Sequence, residues 1–530
     1  MIKSKTIAIF CLYLFSIPGV MAQHISNKEL RDKIAGGWAG KMIGVTYGAP
    51  VEFRAQGITY EDPITWKPSD VIGAMWQDDL YVQLTFLMTI DKYGLEAPPS
   101  VFQELFAKSG YPLWHANVQA RKNYFDGIYP PQSGMPENNL HADDIDFQIE
   151  ADYLGLMCPG MPVTAENMAS RIGHIMNYGD GVYGGVFLSA LYTLAFFETD
   201  INQIVSDAMH TLPAESDYSK TIADVILLHN HYPSDWRAAW KELYQKWGKE
   251  NICEAGSTFN IDAKINGAFV VMGLLYGDGD PLKTMEISAR CGQDADCNPS
   301  SAMAVVGVVK GLRSLPQEFQ DAVKKMGDSL FINTNYSFNK AVDQTLKYAK
   351  ELCISNGGKA NEDGLDVKVQ PLHSVAMEAS FPDMIFRKRV SAFHSNDWDF
   401  KGNWQNSGNS QNAETAKFSD QKGDEATFAF TGTGVSIIGN WFKSGGKADV
   451  YIDGSFKKSI DCYFHYANQE HENINICHVL NLPEGKHTIK LVVKGEKRPE
   501  SLGAGVYISG AIVYSKGRKP HEEYKFSFQQ

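Results

Sequence analysis

The sequence predicts an all-α domain followed by an all-β antiparallel sandwich, and three observations carry this. The chain has 530 residues, more than one hydrophobic core ordinarily organises. Apolar residues recur at helical spacing through the first two thirds and alternate along strands in the last third. A polar, glycine-rich stretch around Ser355–Asp366 separates the two patterns.

The first element is a leader. Lys3 and Lys5 precede an apolar run from Ile7 to Val20, and Val20-Met21-Ala22 supplies small residues before Gln23. Residues 1–22 therefore read as a cleavable signal peptide, placing the mature protein in the periplasm or outside the cell. No small-residue lipobox precedes Cys11, so no lipid anchor is expected. No later segment is long and pure enough to span a membrane; Val182 to Phe197 comes nearest and reads as a buried helix. Cleavage removes one of eight cysteines and leaves an odd number. A Cys462–Cys477 bridge is one open pairing, and the absence of any Cys-x-x-Cys pair gives no support for a zinc site.

Residues 26–355 form the helical domain, with apolar periodicity clearest in Leu80–Thr89, Ile145–Leu156, Ile222–Leu228 and Phe269–Leu275. The Pro-, Gly- and aromatic-rich stretch Asn123–Asn139 reads as a functional loop. Residues 356–374 read as a linker and 375–530 as the sandwich. There, Ala448, Val450 and Ile452 alternate with polar neighbours, as do Ile489, Leu491 and Val493, with turns at Asp453-Gly454 and Glu484-Gly485. Hydrophobic residues at 44% and aromatics at 12% describe a folded protein. A net charge of −13 with no basic stripe excludes a nucleic-acid partner.

Three acidic clusters stand at helix starts: Trp76-Gln77-Asp78-Asp79, His141-Ala142-Asp143-Asp144-Ile145-Asp146, and Gly292-Gln293-Asp294-Ala295-Asp296-Cys297. After the third, Asn298 reads as the N-cap and Pro299 as the first helical residue. In an extended loop Asp294 and Asp296 project to one side and converge. Dipole capping accounts for one such cluster. Adjacent carboxylates in two others repel unless something neutralises them, and oxygen-only donors suit magnesium, calcium or manganese. On a helix, Asp143, Asp146 and Glu150 share a stripe that serves either solvent or a sugar.

The ordered set of Gly36-Gly37-Trp38-Ala39-Gly40-Lys41-Met42-Ile43-Gly44 with Gly48-Ala49-Pro50-Val51-Glu52, then Gln77-Asp78-Asp79, then Gly292-Gln293-Asp294-Ala295-Asp296-Cys297, resembles the ADP-ribosylglycohydrolase family over about residues 27–315. That resemblance implies an all-α domain around two metal ions, usually magnesium. Gln77, Asp78, Asp79, Asp294 and Asp296 would be the ligands, and Glu52 and Asp79 the catalytic carboxylates. Substrate contacts are expected at Trp76, Asn139, Asp143, Asp144, Asp146, Tyr178 and Gln293, where an acidic loop and nearby aromatics offer hydrogen-bonding and stacking groups for a sugar. The chain departs from the pattern at Gln77 and Cys297, which replace hydroxyl ligands, and at Val45, which replaces an aspartate; one or two ions are therefore expected. An acid-lined loop repels a diphosphate and suits a neutral sugar.

The C-terminal region resembles galactose-binding-like and jelly-roll carbohydrate-binding sandwiches, with Trp404, Trp441, Tyr463 and Tyr466 available for stacking or packing. The reading is an exported metal-dependent hydrolase of a carbohydrate or glycoside. Its alternatives are true ADP-ribosyl hydrolysis and a glycan-binding protein with a decayed site.

Overall fold

The computed structural model describes residues 22–393, 396–407 and 416–529; all of the expected leader except Ala22 lies outside them. Ala22–Ser26 (β1) pairs antiparallel with Gly364–Lys368 (β3), which also pairs with Lys359–Ala360 (β2). The stretch read as a linker is thus partly a three-stranded sheet. Burial of Ile25, Leu365 and Val367 drives it, and the Asn361 side chain accepts from the amides of Asp363 and Gly364 to form its turn.

The helical domain opens with α1 (Asn27–Gly48), α2 (Asp78–Tyr93), α3 (Pro99–Lys108) and α4 (His115–Phe125). Next come α5 (Asp146–Glu150), α6 (Asp152–Leu156), α7 (Pro162–Gly173), α8 (Asp180–Ala195) and α9 (Ile201–Ala208). It closes with α10 (Asp217–His231), α11 (Trp236–Trp247), α12 (Ala263–Gly277), α13 (Pro281–Arg290), α14 (Cys297–Lys310), α15 (Gln317–Lys325) and α16 (Phe338–Ser355). Helix α8 is the buried helix expected near Val182, and no helix among the described residues is long and apolar enough to cross a membrane. Residues 145–156, expected as one helix, are two. The amide of Tyr153 donates to Gln83 Oε1 at 3.2 Å instead of continuing the α5 ladder.

Helices α1 and α14 form the axis that positions the site. Gly36 lies against Gly307, Gly40 against Met303, Gly44 against Pro299 and Gly48 against Ala295, so the two run antiparallel with backbones in contact. Sequence order along this axis brings the loop after α1 beside the loop before α14.

The sandwich contains β4 (Met384–Ser391), β5 (Trp398–Lys401), β6 (Gln405–Ser407), β7 (Ala416–Ser419), β8 (Glu425–Gly432) and β9 (Gly434–Trp441). It continues with β10 (Lys447–Ile452), β11 (Ser455–Asp461), β12 (His471–Val479), β13 (Gly485–Val493) and β14 (Val506–Lys516). One sheet has the order β11-β10-β13-β8-β5; the other is β12-β9-β14-β7-β6, with β4 also on β14, and every pairing is antiparallel. Every residue of β9 is buried, because that sheet is covered on both faces. Its outer face, through Ile438, Ile512 and Tyr514, packs on Leu140, Ala142 and Ala255 of the helical domain. The seven described cysteines are free and buried, so the Cys462–Cys477 pairing left open by the sequence does not form.

Candidate active site

Five acids of separate elements meet at one end of the α1–α14 axis. Glu52 follows α1, Asp78 and Asp79 begin α2, and Asp294 and Asp296 precede α14. The loop before α14 is not extended. Gln293 has φ +55°, Asp296 itself caps α14 by accepting from the Cys297 amide at 2.8 Å, and Asp294 Oδ1 accepts from the same amide at 3.3 Å. The helix therefore starts before Asn298, the expected cap. The two carboxylates still converge, now through a compact turn, with an oxygen of each within 4.8 Å of the other.

Lys41 is the cation that pairs with this group, a role that its place in the glycine-rich motif does not by itself announce. It projects from α1 with 1% exposure, 2.8 Å from Asp79 Oδ1 and 3.0 Å from Asp152 Oδ2, and donates to Ile149 O at 2.9 Å. Tyr192 donates to Asp152 from the other side. A lysine embedded in a glycine-rich, otherwise apolar helix was the available signal. Cys297 Sγ donates to Asp79 Oδ2 at 3.0 Å, so both oxygens of Asp79 are engaged within the protein.

One lysine does not balance these acids. Loss of hydration, with Asp296, Asp78 and Asp79 nearby, pushes the Glu52 carboxyl up to about 9. Glu52 nevertheless keeps part of its surface open to solvent. Burial and the neighbouring Asp79 push Asp78 up to about 7. Burial, with Glu52 and Asp79 also acting, pushes Asp294 up to about 7, and burial beside Asp294 holds Asp296 well above the usual range. The excess of carboxylate over cation fits a divalent ion, because hard oxygen donors are what magnesium, calcium and manganese take. Gln77, whose side-chain amide makes no hydrogen bond among the described residues while its backbone N–H donates to Ala74 O, can add an oxygen. Cys297 offers only a thiol, a poor partner for such an ion.

The other expected contact residues lie as follows. Trp76 is 60% exposed beside Gln77. Gln293 is buried, accepting from Asn260 N at 2.9 Å and donating to Thr258 O at 2.9 Å, so it ties the 258–260 loop to the acid turn. Asn139 braces its loop by donating to Ala116 O and Met176 O. Asp146 accepts from the amides of Ala116 and Asn117 at the start of α4. Asp143 precedes α5 and meets Ser380 beside a cavity of about 160 Å3, whereas Asp144 takes His141 at 2.6 Å. The expected Asp143–Asp146–Glu150 stripe is therefore broken, because Asp143 is not helical. Tyr178 is half-buried, edge-on to His174. Of the sandwich aromatics available for stacking or packing, Trp404, Trp441 and Tyr466 pack on Phe400, Phe464 and Phe125 respectively.

The ADP-ribosylglycohydrolase family model matches residues 26–354, well over half of the chain, and the chain belongs to that family. Among curated proteins it is similar to the A type blood alpha-D-galactosamine galactosaminidase of Flavonifractor plautii, 32% identical over 97 residues. That match covers 18% of this chain and 8% of the relative. Among solved structures, an ADP-ribosylglycohydrolase-related protein complex aligns at 13% identity and TM-score 0.42, over 61% of this chain and 98% of that one. A carbohydrate-binding module in complex with calcium and xylotriose aligns at 16% identity and TM-score 0.16, over 24% of this chain and 100% of that one.

Proposed function

We propose that this member of the ADP-ribosylglycohydrolase family is an exported, divalent-cation-dependent glycosidase acting on an O- or N-glycoside of a neutral glycan. The observation that carries the reading is the acid cluster itself: Glu52, Asp78, Asp79, Asp294 and Asp296 face one another with Lys41 as their nearest cation. A diphosphate approaching such a cluster meets like charge, whereas sugar hydroxyls donate to carboxylates. The signal-like residues 1–22 support export. The similarity to a galactosaminidase supports a sugar substrate, and Trp76 and Trp114, 60% and 45% exposed, offer faces for a sugar ring.

Asp78, Asp79, Asp294 and Asp296, with the Gln77 amide, would hold one or two magnesium ions, calcium or manganese suiting the same donors. Such an ion, when bound, fixes vicinal hydroxyls and stabilises charge in the transition state. Lys41 and Cys297 hold the Asp79 carboxylate in one orientation. Glu52, exposed at the open edge and with acidic neighbours that favour its protonated form, is the group positioned to protonate a leaving oxygen or nitrogen.

The test is turnover by the purified mature protein on a panel of aryl furanosides and pyranosides, with and without EDTA. Hydrolysis that stops on chelation is the expected result. Release of ADP-ribose from ADP-ribosyl-arginine would overturn the glycan reading. Glycan binding without any turnover would identify a decayed site.

A further inference from the structure

A second group of ligating side chains comes from elements other than those that carry the acid cluster: His115 begins α4, and His141 and Asp144 precede α5. His115, His141 and Asp144 can each offer one ligand atom such that all three lie within 4.8 Å of one another; the Nδ1 atoms of both histidines face Asp144 Oδ2. His141 is 2.6 Å and His115 4.0 Å from that oxygen. The side chains are 26%, 12% and 5% exposed for His115, His141 and Asp144, so the group is open on one side and closed on the others.

We infer that His115, His141 and Asp144 form a binding site for a borderline transition-metal cation of the zinc class, with one coordination position left open. The donor chemistry separates it from the acid cluster, because imidazole selects zinc, cobalt or nickel over magnesium. Two histidines and one carboxylate with a free position is the ligand pattern of an open zinc site. It differs from the cysteine-based zinc site that the cysteine spacings failed to support.

Independent observations show the site to be built. His115 has φ +44°, a left-handed conformation that a non-glycine residue keeps only when its surroundings enforce it. Its imidazole makes no hydrogen bond within 3.5 Å among the described residues. The backbone around it is clamped, since Asp146 accepts from Ala116 N and Asn117 N, while Gln469 of the sandwich bonds both N and O of Leu113. The Cys253 thiol donates to the Asp144 carboxylate, its Sγ lying 3.3 Å from Oδ1 and 3.4 Å from Oδ2, the kind of contact that orients and tunes a metal ligand. Phe259 stacks on His115 at 5.5 Å and packs on Phe53 at 4.9 Å, so one aromatic bridge links this site to the residue after Glu52.

The experiment is calorimetric titration of the metal-stripped, mature full-length protein with Zn2+ in excess Mg2+. One Zn2+ per chain is expected, with affinity unchanged in Asp294→Asn and weakened at least about 100-fold in the double variant His115→Gln/His141→Gln. Equal affinity in wild type and double variant overturns the proposal, as does loss of Zn2+ binding in Asp294→Asn with retention in the double variant. Should the double variant misfold, zinc-edge X-ray absorption on the wild type decides. Two imidazole nitrogens in the shell uphold the site, and an oxygen-only shell overturns it. The outcome does not depend on whether the glycosidase reading holds.

Discussion

At the scale of single residues, Cys297 and Lys41 distinguish this acid cluster from one built for metal alone. Cys297 spends its thiol on Asp79 at 3.0 Å, and a serine hydroxyl there would be a hard donor. Cys297→Ser should therefore tighten Mg2+ binding, by roughly tenfold or about 1.4 kcal/mol. Calorimetry that shows an unchanged or weaker Kd removes position 297 from the ion's surroundings. The cluster also sets a pH dependence. Three of its carboxyls are raised in the folded state, to about 7 for Asp78 and Asp294 and about 9 for Glu52. Below the unfolded pKa of about 4 both states bind the protons and stability is full. As pH rises from about 4 toward 9, the unfolded chain releases protons that the fold retains, and stability falls. Metal-free protein should lose Tm across that window and recover it with Mg2+. A Tm that is flat with pH without metal would falsify the picture of uncompensated acids. The acids themselves were legible from their adjacency in sequence. Lys41 was not singled out, because its partners Asp79 and Asp152 are brought to it only by packing.

At the scale of elements, the glycine spacing of α1 has a specific purpose. A Cβ on Gly48 would stand 1.8 Å from Ala295 O and 2.5 Å from Asp296 Cα, so only glycine lets the end of α1 touch the acid turn. Gly48→Ala should cost about 1–3 kcal/mol in urea unfolding, the usual range for overpacking, and should weaken Mg2+ binding by displacing Asp294 and Asp296. Stability loss with unaltered Mg2+ affinity would show that the turn is positioned by something other than this contact. The small residues of α1 pointed to close helix packing in the sequence alone, although α14 could not be named as the partner. The start of α14 was misplaced by the strong Asn298-Pro299 signal. An aspartate cap that also belongs to the acid cluster displaced it, and local preferences carry no information about such dual use.

At the scale of the whole molecule, the sandwich is a structural support for the loops of the helical domain. Gln469 holds Leu113, His478 Nε2 meets Pro136 O at 2.7 Å, and the Tyr514 hydroxyl donates to Ile252 O at 2.8 Å. Arg498 adds an ion pair to Asp126 at 2.9 Å, and Lys519 one to Asp217 at 2.7 Å. The sequence showed two periodicities and the place where they change, but contacts between residues more than 250 positions apart leave no local pattern to read. Their consequence is a prediction that separates a support from an appended glycan-binding module. In the full chain, Gln469→Ala/Tyr514→Phe removes three hydrogen bonds, each worth about 0.5–1.5 kcal/mol. Hydrogen exchange should then accelerate at residues 113–116 and 251–255 while the interior amides of α1 and α14 keep their protection, since local opening is governed by local contacts. Unchanged exchange in both loops would make the sandwich an independent module. A uniform loss of protection would mean that the interface stabilises the fold as a whole and not the loops beside His115 and Cys253.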